Sequence, residues 1–185
     1  MTSKKLVAGA AGLALIAAGG TAAVSASGAD TAQDAPDTAV VKQTAGFAFK
    51  PNRYIKDKLR FNKDVYTVQS GGTLRLVNTV PDEGPHTVSV VKKKDLPTSF
   101  NCPVCDKIGE AHGADPNGNK PPKFDFVENG VGQKDPANFN KPGDSAIVGP
   151  NKGDKVEVPV TAPAGKTLHF VCIIHPRMQA KLKVE

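Results

Sequence analysis

The sequence predicts an all-β fold, an antiparallel sandwich or barrel, and three observations predict it. Apolar residues from Gly46 onward alternate with polar ones at a period of two. Clusters of Gly, Pro, Asp and Ser punctuate the alternating runs. No long stretch carries the 3.6-residue period of a helix. Composition agrees with a folded globular chain: of 185 residues, 39% are hydrophobic and 23% charged.

The elements follow in chain order. Lys4 and Lys5, the short apolar run Leu6–Ala18 and the small-x-small triplet Val24-Ser25-Ala26 have the form of a cleaved export signal over residues 1–26. No Cys follows the apolar run and no Arg-Arg pair precedes it, so the expected route is general secretion without a lipid anchor. Beyond it no apolar run approaches the ~20 residues that span a bilayer. Residues 27–46, rich in Ala, Asp, Thr and Gln, lack the apolar surface to offset chain entropy and are expected to form a flexible leader. The folded domain is expected over 47–185.

Within it, Leu74 and Leu76, then Val88 and Val90, then Val156, Val158 and Val160 mark strands with one buried face. Leu168, Phe170 and Cys172 mark another, and Leu182 and Val184 the last. The turns are Ser70-Gly71-Gly72, Pro81-Asp82-Glu83-Gly84-Pro85, Gly153-Asp154 and Pro163-Ala164-Gly165. Residues 95–150 interrupt this rhythm. They hold eight Pro and seven Gly, about 27%, a level that marks irregular structure. They are expected to form one long irregular insertion, with room for a short helix near Asp106–Ala111.

Four His, three Cys and no Trp narrow the chemistry. Four histidines are too few for a complete multicopper oxidase. The informative stretch is Phe170-Val171-Cys172-Ile173-Ile174-His175-Pro176-Arg177-Met178, a Cys-x2-His-x2-Met loop between two strands. His86 opens an earlier strand behind a Pro/Gly turn. Two imidazoles, one thiolate and one weak thioether are the donor set of a type 1 copper site. Closely spaced ligands on one tight loop are positioned before metal arrives, and a ligand from another strand ties that loop to the sheet. Apart from the initiator, Met178 is the only methionine. Cys172 shares the inward face of its strand with Leu168 and Phe170.

With these residues the chain resembles the cupredoxins of the plastocyanin and azurin family, and its ligand loop is most similar to that of amicyanin. The resemblance covers roughly 66–91 and 154–185. It implies a Greek-key β-sandwich with one copper ion held by His86, Cys172, His175 and Met178. It also implies that His175, partly exposed in the family, is the route for electrons. Thr87 stands where relatives carry a polar residue that braces the ligand loops. The long insertion departs from the small members.

The expected function is that of an exported electron carrier, periplasmic or at the cell surface and not an enzyme. It is taken as a monomer exchanging single electrons between Cu(II) and Cu(I) with redox protein partners, acidic ones included. The alternative is copper sequestration or delivery through Cys102, Cys105 and His112 of the insertion. Two cysteines this close in an exported chain are expected to form a disulfide, and His112 is expected on a surface loop. His169 points away from Cys172 and is expected to be exposed. The net charge of +6 is distributed over lysine-rich strand faces, and Lys92-Lys93-Lys94 is a solvated strand end. With 5% aromatic residues and no stacking motif, nucleic acid is not an expected partner.

Overall fold

The structure, a computed structural model, describes residues 35–115 and 120–185. The export signal and the first part of the leader lie outside the described residues. No helix among the described residues is long and apolar enough to cross a membrane.

Two sheets face each other. The larger has seven strands: β6 (Val65–Val68), β8 (His86–Val91), β9 (Phe126–Glu128), β10 (Val131–Gln133), β11 (Ser145–Val148), β13 (Thr167–Val171) and β14 (Gln179–Val184). Their spatial order is β10-β9-β11-β8-β13-β14-β6. The smaller sheet sets β7 (Thr73–Val77) between β1 (Thr38–Val41) and β12 (Lys155–Pro159). The chain changes sheet between β6 and β7, β7 and β8, β11 and β12, and β12 and β13. Such exchange wraps one core between two layers. Two further strand pairs lie outside these layers. One joins β2 (Gln43–Thr44) to β5 (Arg60–Phe61), and the other joins β3 (Phe47–Lys50) to β4 (Tyr54–Asp57).

The core between the layers is built by the alternating residues. Leu74, Leu76, Val88, Phe170 and Leu182 are each at most 1% exposed. Phe170 stacks obliquely on Phe61, ring centroids 5.1 Å apart, and on Tyr66 at 5.9 Å. Burial pushes the Tyr66 phenol up to about 12, because the phenolate would lose its hydration there.

Three expectations need correction. First, Thr38–Val41 does not belong to a loose leader: it pairs in parallel with Thr73–Leu76, with Ala39 and Val41 in the core. An alternating tetrapeptide is too short to stand out from a polar, Ala-rich context, and only the presence of β7 beside it makes it a strand. Secondly, the sheets are not purely antiparallel, since β14 pairs in parallel with β6. Thirdly, 95–150 is not one irregular loop. It carries a helix, α1 (Pro103–Ala111), and β9, β10 and β11. Register explains how: Ser145–Val148 runs antiparallel to His86–Ser89 and extends the large sheet.

The helix begins where Cys102 caps it, with Pro103 at the first helical position. It lies on the outer face of the large sheet. Val91 and Val171, which alternate out of the main core, join Cys102, Cys105 and Ile108 in a second small cluster. For that reason β8 is buried at all six positions rather than at every other one. The helix's far end packs against Gly132, where an added Cβ would strike the Ala111 carbonyl and the Phe124 ring.

Candidate metal centre

His86, Cys172 and His175 meet at one end of the sandwich, their donor atoms all within 4.8 Å of one another. Each is positioned by a different feature. His86 is the first residue of β8, on the same face as Val88 and Val90, and is fully buried. The preceding turn includes a short 3-10 segment, Pro81–Glu83, closed by Gly84 at φ 78°, which favours glycine. Asn78 holds that turn in place. Its fully buried amide donates to the carbonyls of Gly84 and Gly149, both at 2.9 Å, so two loops are tied to one side chain.

Cys172 follows β13 and continues the inward face of Leu168 and Phe170. The loop it begins closes on itself: Met178 N–H donates to the His175 carbonyl at 2.8 Å, and Cys172 N–H to the Met178 carbonyl at 2.9 Å. Cys172 and Met178 are both 0% exposed. Pro176 limits the backbone between His175 and Met178. Thr87 links this loop to β8. Its N–H donates to Cys172 Sγ at 3.3 Å, and its Oγ1 accepts from the Ile173 N–H at 2.9 Å. The bracing role expected of Thr87 therefore has a geometric basis at both backbone and side chain.

The Cys172 sulfur lies 4.0 Å from His86 Nδ1 and 3.7 Å from His175 Nδ1. These separations are long for hydrogen bonds. They suit donors that share one ion at bonds of about 2.0–2.3 Å. His86 Nδ1 faces that sulfur and has no shorter hydrogen bond, so it is the atom a metal ion would take, while Nε2 on the other side of the ring is buried without a partner of good geometry. Buried polar atoms are seldom left so. The donor set and this deficit fit a metal ion.

Electrostatics point the same way. Burial, and then the neighbouring His175, press the His86 pKa down to about 4. Burial lowers that of His175 as well, against the pull of Glu83 and Asp57. Both rings are thus held neutral, the form that coordinates metals. Burial pushes the Cys172 thiol up, although the Thr87 amide and hydroxyl oppose the shift. A thiolate at this place needs a cation beside it.

His175 is the least buried of the three. With Met178, Asp57, Leu59, Phe100 and Pro176 it lines a small cavity of about 80 Å³ at the surface. Phe100 is 72% exposed there and carries the Arg177 guanidinium 4.9 Å above its ring.

Among the described residues, the insertion assembles no second centre. Cys102 and Cys105 are bonded to each other. His112 lies outside their reach chemically, because both its ring nitrogens are engaged, Nδ1 at 2.7 Å from the Phe124 carbonyl and Nε2 at 2.8 Å from Ser145 Oγ. It is also 0% exposed, not a surface residue as expected. His169 lies on the face of β13 opposite Cys172 and is partly buried. Sequence reasoning did not single out Asn78, Ser89 or Ser145, all fully buried. Their only signal was a polar residue within an apolar-rich context.

No family model matches the chain, and no curated protein does. Among solved structures it is similar to a dithionite-reduced auracyanin from Roseiflexus castenholzii, at 18% identity and a TM-score of 0.40, covering 82% of this chain and 98% of that one. It is similar to auracyanin A, a blue copper protein from Chloroflexus aurantiacus, at 21% identity and a TM-score of 0.41, covering 81% and 99%. It is also similar to a purple cupredoxin from Nitrosopumilus maritimus, at 14% identity and a TM-score of 0.40, covering 80% and 99%.

Proposed function

We propose that this chain is a cupredoxin-type electron carrier in which His86, Cys172 and His175 would hold one copper ion, with the Met178 thioether as a weak fourth donor. The observation that carries the reading is the convergence of one buried sulfur and two Nδ1 atoms, with the sulfur 3.7 and 4.0 Å from the imidazoles. A copper ion bound by such donors supplies reversible one-electron chemistry.

The residues of the chain do the rest. The self-closed loop from Cys172 to Met178 and the anchors from Thr87 and Asn78 hold the donors still, so little has to rearrange when charge changes. The core around Cys172 excludes water from the sulfur. His175 and the apolar residues around it form the side nearest solvent, through which a redox protein partner reaches the site. The donor set leaves no open position for a substrate, which supports a carrier rather than an enzyme. Export to the periplasm or the cell surface is part of the proposal and rests on the form of residues 1–26.

Sequestration through the insertion loses its basis, since Cys102 and Cys105 are bonded together and His112 is hydrogen-bonded at both nitrogens. The test is a visible spectrum of the Cu(II)-loaded chain beside that of Cys172→Ser. An intense band that bleaches reversibly with reductant and is absent from the variant is the expected result. A faint band unchanged in Cys172→Ser would sink the assignment.

A further inference from the structure

A buried chain of hydrogen bonds runs from the insertion to the sulfur. Thr87 and Ser89 alternate outward from the core side of β8, beneath the insertion, and Ser145 is paired with Ser89 across the sheet. Ser89 Oγ donates to Thr87 Oγ1 at 3.1 Å, and Ser89 and Ser145 hydroxyls are 2.6 Å apart. Ser145 Oγ is 2.8 Å from His112 Nε2, and His112 Nδ1 is 2.7 Å from the Phe124 carbonyl. Thr87, Ser89, Ser145 and His112 are all 0% exposed. We propose that His112 is a positioning residue of the metal centre: its protonation state sets the direction of the Ser145, Ser89 and Thr87 hydroxyls, and thereby whether Thr87 donates to the Cys172 sulfur. This rests on the copper reading only for its consequence.

Proton counting leaves two arrangements. Each hydroxyl has one hydrogen to give, and a carbonyl only accepts, so His112 Nδ1 carries a proton in both. When His112 is charged, Nε2–H donates to Ser145, Ser145 to Ser89 and Ser89 to Thr87. The Thr87 O–H is then left for the sulfur, where its donation favours the thiolate. When His112 is neutral, Ser145 donates to Nε2 and Ser89 to Ser145, so the Ser89-to-Thr87 bond is given up and the Thr87 hydroxyl turns to donate to Ser89 instead. The Thr87 hydrogen now points away from the sulfur. The Ile173 N–H donates to Thr87 Oγ1 in either state, so the loop keeps its anchor while the field at Cys172 changes. No proton is transferred to or from the metal loop; three hydroxyls rotate.

The groups around His112 set where this occurs. Burial lowers its pKa, while the Phe124 carbonyl and Asp125 raise it. Asp106 and Glu110 of α1, with Asp115, line a cavity of about 490 Å³ that His112 also borders. The Lys123 amide donates to the His112 carbonyl at 2.8 Å. On the β11 side, Asp144 is buried with its carboxylate accepting from the amides of Asn129, Asn140 and Lys141. On the ligand-loop side, Ile173 and Ile174 border the same cavity.

The test uses nitrogen NMR on the metal-free full-length chain as a function of pH. The expected result is that the Thr87 and Ile173 amide shifts move with the same midpoint as the His112 ring nitrogens. In Ser145→Ala, His112 still titrates and the two amides cease to follow it, while Ser145→Thr restores the coupling. Ser89→Ala cuts the chain one link further on, should Ser145→Ala fail to fold. Amides that ignore His112 in the unaltered chain, or that follow it in Ser145→Ala and Ser89→Ala alike, overturn the proposal. With copper bound, the reduction potential is expected to rise as pH falls through that midpoint, and to lose this component in Ser145→Ala. Because the NMR arm needs no metal, a missing visible band would overturn the copper reading and leave the coupling standing.

Discussion

Two buried histidines, His86 and His112, are held neutral for the same reason, loss of hydration around the charged ring. The consequence for stability has a definite sign. An unfolded histidine binds its proton near pH 6.5, whereas these folded ones resist it, so the unfolded state takes up more protons as pH falls. Their contribution is fully present above pH 6.5. It is lost on acidification, His86 reaching its folded value at about 4. The urea midpoint of metal-free protein is therefore expected to fall between pH 6.5 and 4, and His112→Gln to flatten part of that decline. A midpoint constant over the range would contradict the burial of both rings. The sequence marked His86 through its place beside a strand start and a Pro/Gly turn. Nothing in it distinguished His112 from a surface histidine, because burial by β11 and residues 123–125 is a long-range event.

Among the elements, α1 is the one whose existence depends most on a local bond. Nine residues are too few for a helix to persist alone, and α1 offers only Cys105 and Ile108 as fully buried side chains. The Cys102–Cys105 bond fixes its first turn, with Cys102 Sγ also accepting from the Cys105 N–H at 3.3 Å. Replacing both cysteines by alanine is expected to destabilise this segment by roughly 2 kcal/mol, the entropy of opening so short a loop. Hydrogen exchange would localise the change, faster at 103–111 and unaltered in β13 and β14. Equal acceleration in those two strands would mean that the helix and sandwich unfold as one unit. The pairing was legible from two nearby cysteines in a chain with an export signal. A short helix near 106–111 was legible too, but its place on the outer face of the sheet was not, since eight prolines and seven glycines over 95–150 suggest a loop by composition. Those residues instead fall between short elements that the existing sheet edge organises.

For the whole molecule, the smaller sheet is the weaker layer. Only three strands face seven, and β7 takes one partner from each end of the described chain, β1 and β12. Starting the chain at Gln43 would remove β1, uncover the backbone edge of β7 and open the contacts of Ala39 and Val41 with the core. The Thr73 amide would also lose its 2.7 Å bond to the Asp37 carbonyl. Burial of Val41 alone is worth about 1.5–3 kcal/mol, so the truncated protein is expected to melt well below the intact one. An unchanged thermal midpoint would show that β1 adds nothing to the sandwich.

What the sequence determined by itself was whatever depends on neighbours along the chain. The period of two, the turns and the Cys-x2-His-x2-Met spacing are local, and they specified β7, β8, β12, β13 and β14 and three of the four proposed donors. The tertiary structure decided what depends on residues far apart. It brought His86 to the sulfur, placed two strands within 27–46, and turned an irregular-looking insertion into a sheet extension with a covering helix. It also joined Thr87, Ser89, Ser145 and His112 into one buried chain. The physical reason is that backbone period is set by sterics within a few residues, whereas burial and hydrogen-bond partnership are set by whichever distant segment packs alongside.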